Sequence, residues 1–151
     1  MALLVLSGCT SALPPGPSSA ASTPASTASS SALPSTLTQR VKAAIDAFNA
    51  TANGPVADQQ RVLAGLVAPG QAEQQRACPA ATRTLRLEPV YSELAGAPGW
   101  TPPAGTMSGT VYSLPTLIRV YADGRLVGTD LTDLRLSVEA GDVRLAALCV
   151  S

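Results

Sequence analysis

The first 39 residues of this chain carry no charged side chain, and all ten basic and all ten acidic residues lie at or beyond Arg40. Within that neutral stretch, 23 of the 26 residues from Thr10 to Ser35 are Ser, Ala, Thr or Pro. Such a tract cannot bury enough apolar surface to offset the entropy of ordering it. The composition predicts a disordered tether with polyproline II character around Pro14, Pro15 and Pro17. Folding is thereby confined to residues 36–151. A flexible chain of this length spans roughly 25–30 Å, enough to hold a domain clear of a surface. The same Ser/Thr/Pro density is found in O-glycosylated stalks, but a plain spacer is the simpler reading.

Ahead of the tether, Ala2 to Leu6 are apolar and run into Leu6-Ser7-Gly8-Cys9. Small side chains before a cut suit a signal-peptide protease, and the Cys9 thiol is the one good nucleophile nearby. The run resembles the lipobox of bacterial lipoproteins. The resemblance implies that residues 1–8 are signal peptide. It also implies that Cys9 carries a diacylglyceryl thioether and an acylated, palmitate-type amine, and that the protein sits on the outer face of the bacterial cell membrane. The apolar run is short and no Lys or Arg precedes Cys9, so the true start is expected upstream of Met1. Nine of the ten basic residues are Arg, and Ala, Pro and Gly are abundant, a composition similar to that of actinobacterial proteins.

The net charge is zero. No basic patch is implied, so nucleic acid is not an expected partner. There is no His, which removes the commonest general base and the commonest metal ligand. Neither a Ser-His-Asp triad nor a Cys-His pair can be assembled. No metal and no cofactor is expected.

Thr36 and Gln39 fit a capping box, and Leu37, Val41, Ala44, Ile45 and Phe48 recur at helical spacing until Asn53-Gly54-Pro55. A second helix is predicted from about Pro55 to Val67, then a polar helical turn from Gln71 to Ala77 leading to Cys78-Pro79. Beyond Pro79 the period becomes two. Strands are predicted at 84–88, at 111–121 with a bend at Pro115 suiting an edge or bulge, at 126–131, at 134–138, and from Val143 to Cys149. Residues 95–110 read as a long Gly/Pro loop. Asp123-Gly124 and Gly141-Asp142 read as hairpin turns, with a further turn expected between Asp130 and Asp133. Helices followed by a strand meander give an α+β domain. Its element order resembles the NTF2-like fold, a cone in which a curved antiparallel sheet wraps around N-terminal helices. The resemblance rests on order alone and is silent about activity.

With Cys9 lipidated, Cys78 and Cys149 remain, and an exported chain with two Cys favours a disulfide between them. Asp123, Asp130, Asp133, Glu139 and Asp142 read as turn and surface carboxylates. Arg86, Arg119, Arg135 and Arg144 fall at alternating positions of separate strands, so several can share one sheet face, which reads as a solvated outer face with surface ion pairs in preference to an anion-binding one. Trp100 is the only Trp and lies in the long loop, where aromatics often meet ligands. Tyr91, Tyr112, Tyr121 and Met107 could line the same region, although a Trp that closes the core beneath the loop is the plainer reading. These features favour a non-catalytic binding or accessory module for an apolar ligand or an envelope protein, held to membrane lipid through Cys9. The alternative implied by the NTF2-like resemblance is an isomerase or cyclase working through a cavity carboxylate, for which Glu88 and Glu93 are the candidates.

Overall fold

The structure is a computed structural model that describes residues 35–78 and 82–149. The lipobox, Cys9 and most of the tether lie outside the described residues. Leu37, Val41, Ile45 and Phe48 recur every three or four residues and bury one stripe of helix α1, Ser35–Asn49. Beyond α1 the chain turns back, with the Thr51 hydroxyl bonded to the Phe48 carbonyl and Asn53 in the left-handed region at φ 64°. Pro55 then precedes α2, Val56–Leu66. A single 3-10 turn at Pro69–Gln71 leads into the short α3, Ala72–Ala77. None of these helices is long and apolar enough to cross a membrane.

The strands are β1 Thr84–Pro89, β2 Ala95–Gly96, β3 Thr110–Ala122, β4 Arg125–Glu139 and β5 Asp142–Leu145. They form one antiparallel sheet in the order β1-β3-β4-β5. β4 runs along one flank of β3, so β2 continues the other flank beyond β1. The sheet is curled into a half-barrel with the helices against one face, which makes the domain α+β as its element order implies. Leu114, Ile118 and Val120 of β3, with Leu134 opposite Leu114 and Leu136 opposite Tyr112 on β4, point to that face and are buried with Phe48 and Ile45. Phe48 is fully buried, so the hollow side of the curl is filled by α1.

Four expectations are corrected. β4 is one unbroken strand, not two, because Asp130 and Asp133 pair with Ile118 and Pro115 across the hairpin instead of forming a turn. The second hairpin turn falls on Ala140 and Gly141, at φ 50° and 95°, leaving Asp142 in β5. Asp123 and Gly124 make the first turn as expected, at φ 50° and 74°. The bulge lies at Val120/Tyr121, not at Pro115. Pro115 is tolerated in a central strand because its carbonyl, and hence the side on which its N–H is missing, faces the gap between β1 and β2, where only Val90 N–H reaches it. The last strand stops at Leu145; Ala146 and Leu148 are buried in an irregular tail, whereas Cys149 is exposed.

Candidate functional site

Four side-chain amides finish the sheet where strands run out. Gln59 of α2 donates from Nε2 to the Leu85 carbonyl at 2.8 Å and accepts from the Leu85 N–H at 2.6 Å. Asn49 of α1 does the same for Leu87, at 2.8 Å each way. Gln75 of α3 binds both backbone groups of Leu148. Gln71, 2% exposed, donates to the Ala104 carbonyl at 2.7 Å and so ties the long loop down.

Between α2, α3, Leu85 of β1 and the tail residue Leu148 lies a hollow of about 360 Å³. Leu63, Val67, Leu85 and Leu148 wall it, Ala64 and Ala72 narrow it only slightly, and Cys78 stands at its side. The amide ends of Gln59 and Gln75 also line it, but both are committed to backbone. Arg76 and Arg83 are its only charged lining residues among those described, and both are exposed. An apolar body with cationic groups at the mouth suits an apolar or amphiphilic guest. Cys78 and Cys149 stand at disulfide distance, with Cα atoms 5.1 Å apart. Their link would join the end of α3 to the tail that carries Leu148.

Of the five residues expected to gather around a ligand, none lines this hollow. Trp100 borders a second one of about 280 Å³, with Asp130, Arg135 and the tail 146–149. Its ring lies under the Arg135 guanidinium, 5.7 Å from centroid to carbon. Tyr91 and Tyr112 pack against the core. Burial and, to a lesser extent, the nearby Asp46 carboxylate push the Tyr91 hydroxyl up to about 12. Tyr121 lies opposite Thr84 at the far end of β3, and Met107 is in the loop. Only Tyr112 and Tyr121 of the five lie on a strand, at opposite ends of β3, and the others are in the 3-10 turn and the loop.

Register sets Arg135 and Arg144 opposite Ser113 and Ser137, with the Arg144 guanidinium on the Gly65 carbonyl of α2, and it sets Arg86 directly across from Arg119. Glu88 sits among them, 2.7 Å from Arg119 Nε and 3.8 Å from Arg86 Nε. The hydrogen bond from Arg119 holds its carboxyl below the usual range. A general base near neutral pH needs the opposite shift. Glu93 lies exposed in a 3-10 turn. Among the described residues no three His, Cys, Asp or Glu side chains stand close enough to hold a metal ion.

The glutamines that build the hollow were missed by sequence reasoning, since polar residues on a helix read as its solvent face. Comparison of the chain with protein-family models, with curated proteins and with solved structures gives no match.

Proposed function

We propose that this is a lipid-anchored extracytoplasmic lipoprotein whose folded domain, an NTF2-like cone, binds an apolar or amphiphilic ligand without turning it over. The observation that carries the reading is the hollow walled by Leu63, Val67, Leu85 and Leu148. The Gln59 and Gln75 amides are already bonded to backbone, so a guest meets mainly hydrocarbon inside, with the exposed Gln60, Arg76 and Arg83 along the lining. The absence of His from the chain and the lowered proton affinity of Glu88 favour binding over proton transfer. The Leu6-Ser7-Gly8-Cys9 motif supports the anchor.

The test is uptake of dansylated undecanoic acid, whose emission rises on entering an apolar site. Ala64 is exposed and lines the hollow, so Ala64→Trp should fill the cavity and abolish uptake while leaving the far-ultraviolet circular dichroism unchanged. Uptake that survives Ala64→Trp, or no uptake by the wild type, refutes the binding site. The anchor is tested separately: Cys9→Ser should release the protein from the membrane fraction, because stable anchoring needs more than one acyl chain.

A further inference from the structure

The hollow beside α2 carries charge of one sign. The amide groups inside it are spent, because Gln59 exchanges both hydrogen bonds with Leu85 and Gln75 both with Leu148. Besides Gln60, the polar groups left along the lining are two guanidiniums. Arg76 comes from the last turn of α3, and Arg83 is the residue before β1. Among the described residues no carboxylate lines the hollow. Glu73, one turn before Arg76, lines a different one.

These two arginines also differ from those of the strands. Arg86, Arg119, Arg135 and Arg144 each meet a carboxylate. Arg76 Nε donates to the Ala72 carbonyl of its own helix at 3.3 Å, which leaves its two terminal nitrogens. Among the described residues neither Arg76 nor Arg83 meets a carboxylate. Two cations beside one apolar space attract the same anion and repel the same cation. A guanidinium offers paired N–H donors that match the oxygens of a carboxylate or a phosphate. At about 360 Å³ the space is near the small end of ligand hollows, which run from about 300 to 1,000 Å³, and so suits one hydrocarbon chain.

We propose that the hollow selects its guest by the charge of the head group and takes a single-chain anionic amphiphile. The chain lies against Leu63, Val67, Leu85 and Leu148, and an oxyanion head sits on Arg76 and Arg83. This selection rests on the binding role proposed above and adds to it the class of ligand.

The test is calorimetric titration of the full chain carrying Cys9→Ser, which needs no competing detergent. The titrants are dodecanoate, dodecyl phosphate and dodecyltrimethylammonium, at neutral pH and below micelle formation. Ion pairs at an exposed rim are individually weak, but the anion gains two and the ammonium meets two repulsions. The better anion should therefore bind at least about tenfold more tightly than the ammonium at low salt, and added salt should shrink the difference. Whichever of dodecanoate and dodecyl phosphate binds more tightly identifies the head as carboxylate or phosphate. Arg76→Glu and Arg83→Glu should each narrow the preference for the anion, and the double variant should invert it. Inversion requires a gain in ammonium binding, which a misfolded variant could not supply. Equal binding of anion and ammonium by the wild type, or a preference that the double variant leaves intact, overturns the selection by charge and leaves the apolar site standing. No binding of any of the three overturns the binding role and the selection together.

Discussion

The Gln59 side chain stands in for a strand beside Leu85, exchanging both of that residue's backbone hydrogen bonds at 2.8 and 2.6 Å while remaining 4% exposed. A buried amide that satisfies two buried groups is worth little net when made and much when lost. Gln59→Leu should therefore destabilise by about 1–3 kcal/mol for each orphaned group. Urea unfolding should show a lower midpoint at unchanged slope. Gln59→Glu should be destabilising too, since a carboxylate cannot donate to the Leu85 carbonyl.

This relationship also marks where the sequence stops being legible. Periodicity finds α1 from Leu37, Val41, Ile45 and Phe48 because one stripe must be buried, and it finds the β3–β4 hairpin from Asp123-Gly124 because few other residues accept those angles. It also sets Arg86 and Arg119 at alternating strand positions that turn out to be directly opposite, but not the reach of Arg144 to the Gly65 carbonyl of α2. It fails for Asp130 and Asp133, where turn-forming residues sit inside a strand whose outer edge is open to solvent. It fails again for the hollow: Gln59 and Gln75 look like surface residues, because what buries them is the backbone of Leu85 and Leu148, far away in the chain. Trp100 drew attention as the sole indole, yet its partner is Arg135, a pairing that no local pattern encodes.

A disulfide between Cys78 and Cys149 would close a sequence separation of 71 residues, for which chain entropy gives about 4 kcal/mol of stabilisation. The masses of the unreduced and the reduced protein should differ by two hydrogen atoms. Cys149→Ser should lower stability by up to that amount. It should also weaken dansylated undecanoic acid uptake, because the tail it frees carries Leu148, a wall of the hollow. Two freely alkylated thiols in unreduced, denatured protein would disprove the bond.

Tyr91 gives a pH dependence with a definite sign. Its hydroxyl ionises at about 12 in the fold against an ordinary value of 10.0. Above pH 10 the unfolded chain gives up this proton while the native chain still holds it. Stability from this group is thus complete below pH 10 and falls as pH rises toward 12. Titration by tyrosinate absorbance should show one late-ionising hydroxyl that disappears in Tyr91→Phe. The variant should also lose less stability between pH 10 and 12 than the wild type.

Trp100 reports on the loop and on the placement of the ligand site. Its ring is only partly buried and is covered by the Arg135 guanidinium, a contact worth about 0.5–1 kcal/mol at such a site. Arg135→Ala should cost about that much and raise acrylamide quenching of the indole, since the guanidinium covers that face of the ring. The loop itself should stay in place, because Gln71 holds the Ala104 carbonyl and Thr106 N–H meets the Gly70 carbonyl. An unlabelled long-chain fatty acid should bind in the hollow beside α2 without moving the Trp100 emission, since Trp100 does not line that hollow. A blue shift on addition of the fatty acid, lost in Arg135→Ala and retained when the first hollow is filled without a second indole by Ala64→Phe, would instead place the ligand under the loop, in the hollow shared by Trp100, Asp130 and the tail.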